Sequence, residues 1–288
     1  MTQPADTERR YCSRENAAES LWGTADVVDV WVLLEYSATW KPKPLDENDL
    51  ADQTNAWLSD TLQKLASIDL RGRVQFIRRP ELDQGETRLL IGLHDQMFQF
   101  SGLGYDFLAT LDIVHLVQHP DVYESLTEPR YFVCTNGQRD VCCARYGLPV
   151  YHELRSALGE RVWQTTHLGG HRFAANVLVL PGGLLHGRVT TDELSDLIPT
   201  WEDGGISFKH LRGRSQYSKH VQAAEAALGQ AALRFVSLEG DEEDALVTFA
   251  SAAQSHTVHV YKTSEPLALQ KSCGKEPEDV QSYVTLVQ

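Results

Sequence analysis

Three of the five cysteines in the chain fall within residues 134–171, and two histidines set four apart close this stretch. The stretch begins with CTNGQRDVCCARYG, which contains Cys134, Cys142 and Cys143, and it ends in THLGGHRF, which contains His167 and His171. Thiolates and neutral imidazoles are the side chains that bind borderline and soft metals well. This clustering therefore predicts a zinc site or an iron–sulfur centre.

The residues alone leave three interpretations of this stretch open. A thiol–disulfide enzyme would carry a C-x-x-C pair, whereas Cys142 and Cys143 are adjacent, which is poor geometry for a disulfide. A structural zinc site usually has cysteines about two to four residues apart, whereas eight residues separate Cys134 from Cys143. A two-iron cluster tolerates longer loops, and two cysteines with two histidines is the ligand count of a Rieske centre. Histidines that only hydrogen-bond in the core would not explain why His167 and His171 flank a Gly-Gly pair.

Length and charge limit the class of protein. A chain of 288 residues is long enough for at least two domains. The net charge of −14 argues against a general nucleic-acid binder, because neutralising phosphates needs a basic surface. Residues 131–190 differ from the rest, with six arginines, no lysine and three acidic residues. We therefore expect a locally electropositive region around the predicted metal ligands.

The sequence also predicts a compartment. The first 20 residues are polar and charged, and no stretch approaches the roughly 20 apolar residues of a membrane span. An odd number of unevenly spread cysteines does not resemble a secreted disulfide framework. We therefore expect a cytoplasmic protein that does not associate with membranes. Cys12 and Cys273 stand alone in the sequence, and we expect both to be packed or free thiols.

Hydrophobic patterning predicts an α/β protein in which one order of elements occurs twice. The order is strand, helix, strand, hairpin, helix, which is that of the thioredoxin-like fold. The first series comprises residues 26–36, 50–65, 73–79, 87–93 with 97–100, and 105–117. The second comprises residues 131–134, 144–158, 162–166, 173–180 with 184–189, and 191–199.

These elements predict two thioredoxin-like domains in tandem, followed by a smaller α+β extension at the C-terminus. The predicted bounds are 1–125 for a first domain without ligands, 126–204 for the domain with the metal centre and 205–288 for the extension. In the extension we expect a helix at 216–228 and strands at 231–238, 245–250 and 256–262.

The predicted topology brings the candidate ligands to one corner. In a thioredoxin-like unit, the end of the first strand, the start of the first helix and the loop into the third strand lie together. Cys134, the adjacent Cys142 and Cys143, and the loop 167–171 occupy these three places. Helix N-terminal amides and nearby arginines (Arg139 and Arg145) would lower the thiol pKa values and stabilise thiolates. The two glycines of the loop allow it to bend so that both imidazoles face one point.

The same residues carry a resemblance to a known family. CTNGQRDVCCARYG, followed by HLGGHRFAANVLVLPGGLLHGRV, resembles the sucrase/ferredoxin-like family, most strongly over residues 131–189. The resemblance implies a thioredoxin-like [2Fe-2S] ferredoxin domain with a His-x3-His element. Carried over by position, the implied ligands are Cys134, Cys143, His167 and His171, with Cys142 as the alternative to Cys143. We assign no role to His186, which stands where the family pattern leads us to expect a tyrosine.

We therefore predict an electron-transfer protein that binds one [2Fe-2S] cluster and exchanges electrons with redox partner proteins. Imidazole ligands raise the potential from about −400 mV toward the range of about −150 to +300 mV. They also allow electron transfer to be coupled to proton transfer. One alternative is a reductase that uses the arginines to hold an anionic substrate such as a ferric chelate. The other is a non-enzymatic Cys2His2 zinc module.

Overall fold

The computed structural model describes residues 10–80 and 85–288 of the chain. Within these ranges the α-helices are α1 (Cys12–Glu15), α2 (Asp52–Ala66), α3 (Ile113–Gln118), α4 (Val141–Leu158), α5 (Leu194–Glu202) and α6 (Lys219–Leu228). The strands are β1 (Val30–Glu35), β2 (Gly72–Arg78), β3 (Thr87–Gly92), β4 (Met97–Gly102), β5 (Arg130–Cys134), β6 (Val162–Thr165), β7 (Val177–Leu180), β8 (Leu184–His186), β9 (Leu211–Arg214), β10 (Arg234–Gly240), β11 (Asp244–Ala250), β12 (Ser255–Lys262), β13 (Leu267–Leu269), β14 (Glu278–Val280) and β15 (Tyr283–Val287).

Nine strands form one mixed sheet in the order β4-β3-β1-β2-β6-β5-β7-β8-β9. β1 and β2 are parallel, as are β5 and β6, and their other neighbours in the sheet are antiparallel. The strands β1–β4 and the strands β5–β9 form the two halves of this sheet. They join through a short pairing of β2 with β6, in which Ile77 pairs with Thr165 and Arg78 with Gln164. The predicted α/β class is confirmed. The arrangement as two tandem thioredoxin-like domains, with its boundaries, stays a prediction.

Apolar layers cover both faces of the sheet. In β1, Val30, Val32 and Leu34 pack with α2 and α3 on one face, whereas Trp31 and Leu33 pack on the other face. Neighbouring residues of a strand point to opposite faces, so a strand covered on both sides is apolar throughout. The second layer joins β1–β4 to β5–β8 and includes the side chains of Cys134 and Cys143.

The C-terminal part forms a four-stranded antiparallel sheet in the order β10-β11-β12-β15, with α6 packed against it. β13 and β14 form a separate two-stranded ribbon. The helix and three strands expected after residue 205 are present, with shifted bounds. β9, β13, β14 and β15 were not predicted. Within residues 10–80 and 85–288, no helix combines the length and apolar character that crossing a bilayer requires.

A predicted helix and a predicted strand differ from the structure. The helix expected over 105–117 is divided into a 3-10 turn (Asp106–Thr110) and α3, because the backbone at Leu111 is extended. Strand β7 begins at Val177 rather than at residue 173, because His171–Phe173 form a 3-10 turn. The first nine residues of the polar leader lie outside the described residues.

Candidate metal centre

The end of β5 and the start of α4 position the cysteines. Cys134 is the last residue of β5, and α4 starts at Val141 with Asp140 as its N-cap. The Asp140 carboxylate accepts a hydrogen bond from the backbone N–H of Cys142 at 2.9 Å, as expected of an N-cap residue. A Cβ added to Gly147 would lie only 2.1 Å from the carbonyl oxygen of Cys134. The glycine therefore allows α4 to approach the end of β5.

The loop between β6 and β7 carries both histidines. Gly169 and Gly170 have φ values of +84° and +61°, so both occupy the left-handed region that favours glycine. The Gly169 carbonyl accepts from Nη1 of Arg212 at 2.9 Å, and the Gly170 carbonyl accepts from Nδ2 of Asn176 at 3.0 Å. Arg212 also donates to Asn176 Oδ1 at 2.9 Å. The backbone between the histidines is thus fixed by hydrogen bonds to its carbonyls.

Cys134, Cys143 and His167 come together and form the histidine-bearing cluster. Nδ1 of His167 lies 3.9 Å from Sγ of Cys134 and 3.7 Å from Sγ of Cys143. The three potential ligand atoms are all within 4.8 Å of one another. The ring of His171 lies beside that of His167, with centroids 4.9 Å apart. The structure therefore brings together the ligand atoms of Cys134, Cys143 and His167, whereas His171 adjoins this group through its ring without joining it. The role of all four residues as ligands stays a prediction.

The two thiols of this cluster are hydrogen-bonded to each other. The pKa of Cys134 is well below its ordinary value, because the Cys143 thiol donates to it and the His167 imidazole adjoins it. The pKa of Cys143 is raised, because its thiol donates to Cys134 and its side chain is buried. These contacts favour the thiolate of Cys134, the form that ligates metal.

His171 is largely buried. Both of its ring nitrogens are buried, and neither makes a hydrogen bond of ordinary geometry among the described residues, although the Lys271 backbone lies close enough to raise the pKa of the ring. The nearest carboxylate oxygen, Oδ2 of Asp140, lies 3.6 Å from Nε2, beyond hydrogen-bonding distance. Burial, followed by the neighbouring His167, lowers the pKa of His171 to about 4. The imidazole is therefore neutral at pH 7, with a lone pair available for a metal.

A second group of sulfurs lies on the other side of Asp140 and forms the three-thiol cluster of Cys12, Cys142 and Cys273. The Sγ–Sγ distances are 3.6 Å for Cys12–Cys142, 3.3 Å for Cys142–Cys273 and 3.5 Å for Cys12–Cys273. Oδ1 of Asp140 lies 4.0 Å from Sγ of Cys12. Cys12 and Cys273 are packed, free thiols as expected, but although they stand alone in the sequence they do not stand alone in the fold. Cys12 and Cys273 lie 130 and 131 residues from Cys142 in the sequence. At such separations no hydrophobic periodicity could have predicted the contact.

Cys142 and Cys143 thus belong to different clusters. The pKa of Cys142 is lowered to about 6, because the Cys12 thiol and then the Ser13 hydroxyl donate to it. The pKa of Cys12 is raised by the same contact with Cys142, and burial raises that of Cys273 to about 12. The second cluster therefore also carries one thiolate near neutral pH.

The arginines of residues 131–190 are largely engaged within the fold. Arg172 pairs with Glu19 at 2.7 Å, and Arg161 pairs with Glu202 at the same distance. Arg188 donates to the carbonyl of Asn16 at 2.7 Å. Both acidic partners lie outside residues 131–190 and offset the local positive charge. These three arginines are therefore poorly placed to hold an anionic substrate.

Each cluster has the residue types and spacing to hold a metal ion, one with two sulfurs and an imidazole, the other with three sulfurs and a carboxylate. The model of the sucrase/ferredoxin-like family matches residues 21–213, which is more than half of the chain. The chain belongs to this family. The family resemblance noted for residues 131–189 is thereby confirmed and extends over both halves of the nine-stranded sheet.

Curated relatives of the chain are yeast proteins named "Altered inheritance of mitochondria protein 32". The Candida glabrata protein is 28% identical over 97 residues, and the Meyerozyma guilliermondii protein is 26% identical over 111 residues. The Debaryomyces hansenii protein is 26% identical over 133 residues. These matches cover 28%, 35% and 42% of this chain and 31%, 38% and 49% of the respective relatives. No solved structure matches the chain.

Proposed function

We propose that the chain is an electron-transfer protein that binds one [2Fe-2S] cluster through Cys134, Cys143, His167 and His171. The observation that carries the proposal is the convergence of Cys134, Cys143 and His167, with the buried ring of His171 beside that of His167. Buried polar atoms without a partner are rare and costly. Metal coordination would give a buried nitrogen of His171 a partner.

The donor set suits the cluster chemically. Two thiolates and two neutral imidazoles are the ligands of Rieske-type [2Fe-2S] centres. The thiol of Cys143 and the imidazole of His167 favour the thiolate of Cys134, and His171 is held neutral by its burial. Both are the forms that bind metal. When bound, the cluster would supply a one-electron redox centre.

The protein's own residues would hold the ligands in place. Nη2 of Arg73 and Nε2 of Gln75 donate to the His167 carbonyl at 2.9 and 3.2 Å. Asp140 lies close to Nε2 of His171, so a small shift would let the imidazole donate to the carboxylate. Carboxylate partners of this kind orient metal-bound histidines and raise their basicity.

The histidine side is the more accessible side of the site. Cys134 and Cys143 are fully buried, with relative exposures of 1% and 0%, whereas both histidines are partly exposed, His171 with 12% of its side chain accessible. Electrons would therefore be exchanged with redox partner proteins at the surface around loop 167–171. Because the matches cover less than half of each yeast relative, the proposal concerns the metal centre and not the cellular role in the relatives' name.

The test is the metal content and spectrum of protein purified under anaerobic conditions. We expect about two irons and two sulfides per chain, a visible spectrum that bleaches on reduction, and a potential above that of all-cysteine ferredoxins. Cys134→Ser and Cys143→Ser should abolish iron binding, and a His167→Ala, His171→Ala double variant should lose it as well. A colourless protein with zinc and no iron would overturn the proposal, as would full iron retention in the double histidine variant.

A further inference from the structure

The three-thiol cluster joins segments that are far apart in the sequence. Cys12 lies in the short helix α1, Cys142 lies in the first turn of α4, and Cys273 lies in the loop between β13 and β14. Their sulfurs form a nearly equilateral triangle with sides of 3.3 to 3.6 Å. Cys12 and Cys142 are fully buried. Three sulfurs from distant segments thus meet at one point, beside the carboxylate that caps α4.

The triangle has nearly the dimensions of a zinc–thiolate site. With Zn–S bonds of about 2.3 Å in a tetrahedron, the sulfurs are about 3.8 Å apart. Each side of the triangle would lengthen by only a few tenths of an ångström. A disulfide would instead need one pair to close to about 2.05 Å and would leave the third thiol unused. The near-equal distances fit a shared central ion better than a bonded pair.

The fourth ligand would be Asp140, whose carboxylate is already held in place. Its Oδ1 atom accepts from the backbone N–H of Cys142, and Oδ2 accepts from the Ser272 hydroxyl and from the Cys273 N–H, each at 2.9 Å. Oδ1 is also the carboxylate atom nearest to Cys12, at 4.0 Å. A carboxylate ligand suits zinc, whereas copper(I) prefers sulfur donors alone.

Two contacts would stabilise the bound thiolates. The Ser13 hydroxyl donates to Sγ of Cys142 at 3.4 Å, and the backbone N–H of Cys12 faces Sγ of Cys273 at 3.4 Å. Donors of this kind surround metal-bound sulfur and offset its negative charge. An entry path also exists, because a surface cleft lined by Arg10, Arg139, Asp140 and Cys273 opens beside the cluster.

We propose that Cys12, Cys142, Cys273 and Asp140 bind one zinc ion at a site separate from the histidine-bearing cluster. With four protein ligands and no open position, the site is structural rather than catalytic. Zinc binding releases the thiol protons to solvent, so the affinity falls as the pH is lowered. The ion ties α1 and the loop after β13 to the start of α4, the helix that carries Cys143.

The adjacent cysteines provide a matched pair of variants. Full-length protein is purified anaerobically with a reductant, incubated with Zn²⁺ and desalted, and zinc and iron are measured in the same sample. We expect about one zinc per chain in the wild type, with three sulfurs and one oxygen around it by X-ray absorption. Cys142→Ser should lose zinc and keep iron, whereas Cys143→Ser should lose iron and keep zinc.

Cys273→Ser is the variant least expected to disturb folding, because Cys273 is the least buried of the three cysteines. It should lose zinc at unchanged iron content, which shows that the rest of the fold is intact. The proposal is overturned if the wild type binds no zinc other than any held by the histidine-bearing cluster. It is also overturned if Cys142→Ser and Cys273→Ser both keep the bound zinc. It is equally overturned if mass spectrometry of the reduced preparation finds a disulfide among these cysteines and no zinc. A wild-type protein that binds zinc at this site but no iron would refute the proposed electron-transfer function and leave the zinc site standing.

Discussion

Replacing Arg212 tests whether a buried arginine holds the histidine loop. Arg212 has a relative exposure of 1%. Besides Gly169 O and Asn176 Oδ1, it donates to Thr24 O at 2.6 Å and to Thr24 Oγ1 at 3.1 Å. Its guanidinium also lies 4.8 Å from the ring centroid of Phe173. Burial lowers its pKa to about 9, opposed by the nearby Asp26, so the group is charged at pH 7.

The size of the effect follows from these contacts. Arg212→Met leaves four acceptors without this donor. Three are carbonyl oxygens, those of Gly169, Thr24 and the Asn176 side chain, whereas the Thr24 hydroxyl still donates to the Leu21 carbonyl. Each buried acceptor without a partner costs about 1–3 kcal/mol, or about 3–9 kcal/mol for three. Removing the guanidinium recovers several kcal/mol of desolvation, so we expect a net loss of about 3–5 kcal/mol. Arg212→Lys should lose less, because the ammonium donates hydrogen bonds but lacks the planar fork.

The assay is denaturant unfolding of the metal-free chain, together with iron content after reconstitution. Arg71→Met is the matched control, because Arg71 is 55% exposed and pairs with Asp29 at the surface. It should cost less than about 1 kcal/mol and leave iron binding unchanged. An Arg212→Met variant with the wild-type denaturation midpoint and full iron content would refute the reasoning.

Two further predictions concern α4 and the buried histidine of β8. Gly147→Ala should destabilise the protein by about 1–3 kcal/mol or more and reduce iron loading, because the Cβ of the alanine would overlap the Cys134 carbonyl. Thermal unfolding and iron analysis test this. Burial, followed by the charge of His210, lowers the pKa of His186 to about 3. Between pH 6.5 and about pH 3, His186 is protonated in the unfolded chain but neutral in the folded chain. Lowering the pH through this range therefore reduces the free energy of unfolding by up to about 1.4 kcal/mol per pH unit. In His186→Gln this contribution should vanish, which urea midpoints at pH 7 and pH 5 will show; an unchanged difference between the two midpoints would contradict it.

The sequence predicted elements whose stability comes from local patterning. Apolar runs predicted β1, β2 and β5, and the Gly-Gly pair predicted a bend between His167 and His171. Strand β9 was missed because Leu-Arg-Gly-Arg has the composition of an exposed turn. Arg212 within it is nevertheless buried, because its charge is balanced by carbonyl groups from distant parts of the chain. Such compensation is a tertiary effect that no local pattern records.

The site shows the same limit. Cys134, Cys143 and the histidine loop follow from one supersecondary unit, so the spacing of their residues carries information. Cys12 and Cys273 reach Cys142 from segments near opposite ends of the chain. They meet there because the segments that carry them pack against the start of α4. The sequence could therefore predict one cluster and not the other.

The adjacent cysteines explain how two clusters fit at one helix terminus. Successive residues of an α-helix point about 100° apart, so neighbouring side chains in the first turn face different surroundings. Cys143 points toward the core shared with Cys134, and Cys142 points toward Cys12. Asp140 precedes both, caps the helix and lies between the three-thiol cluster and His171. A change in charge at either cluster therefore acts on this one carboxylate, and zinc content and cluster potential should respond together when Asp140 is replaced by Asn.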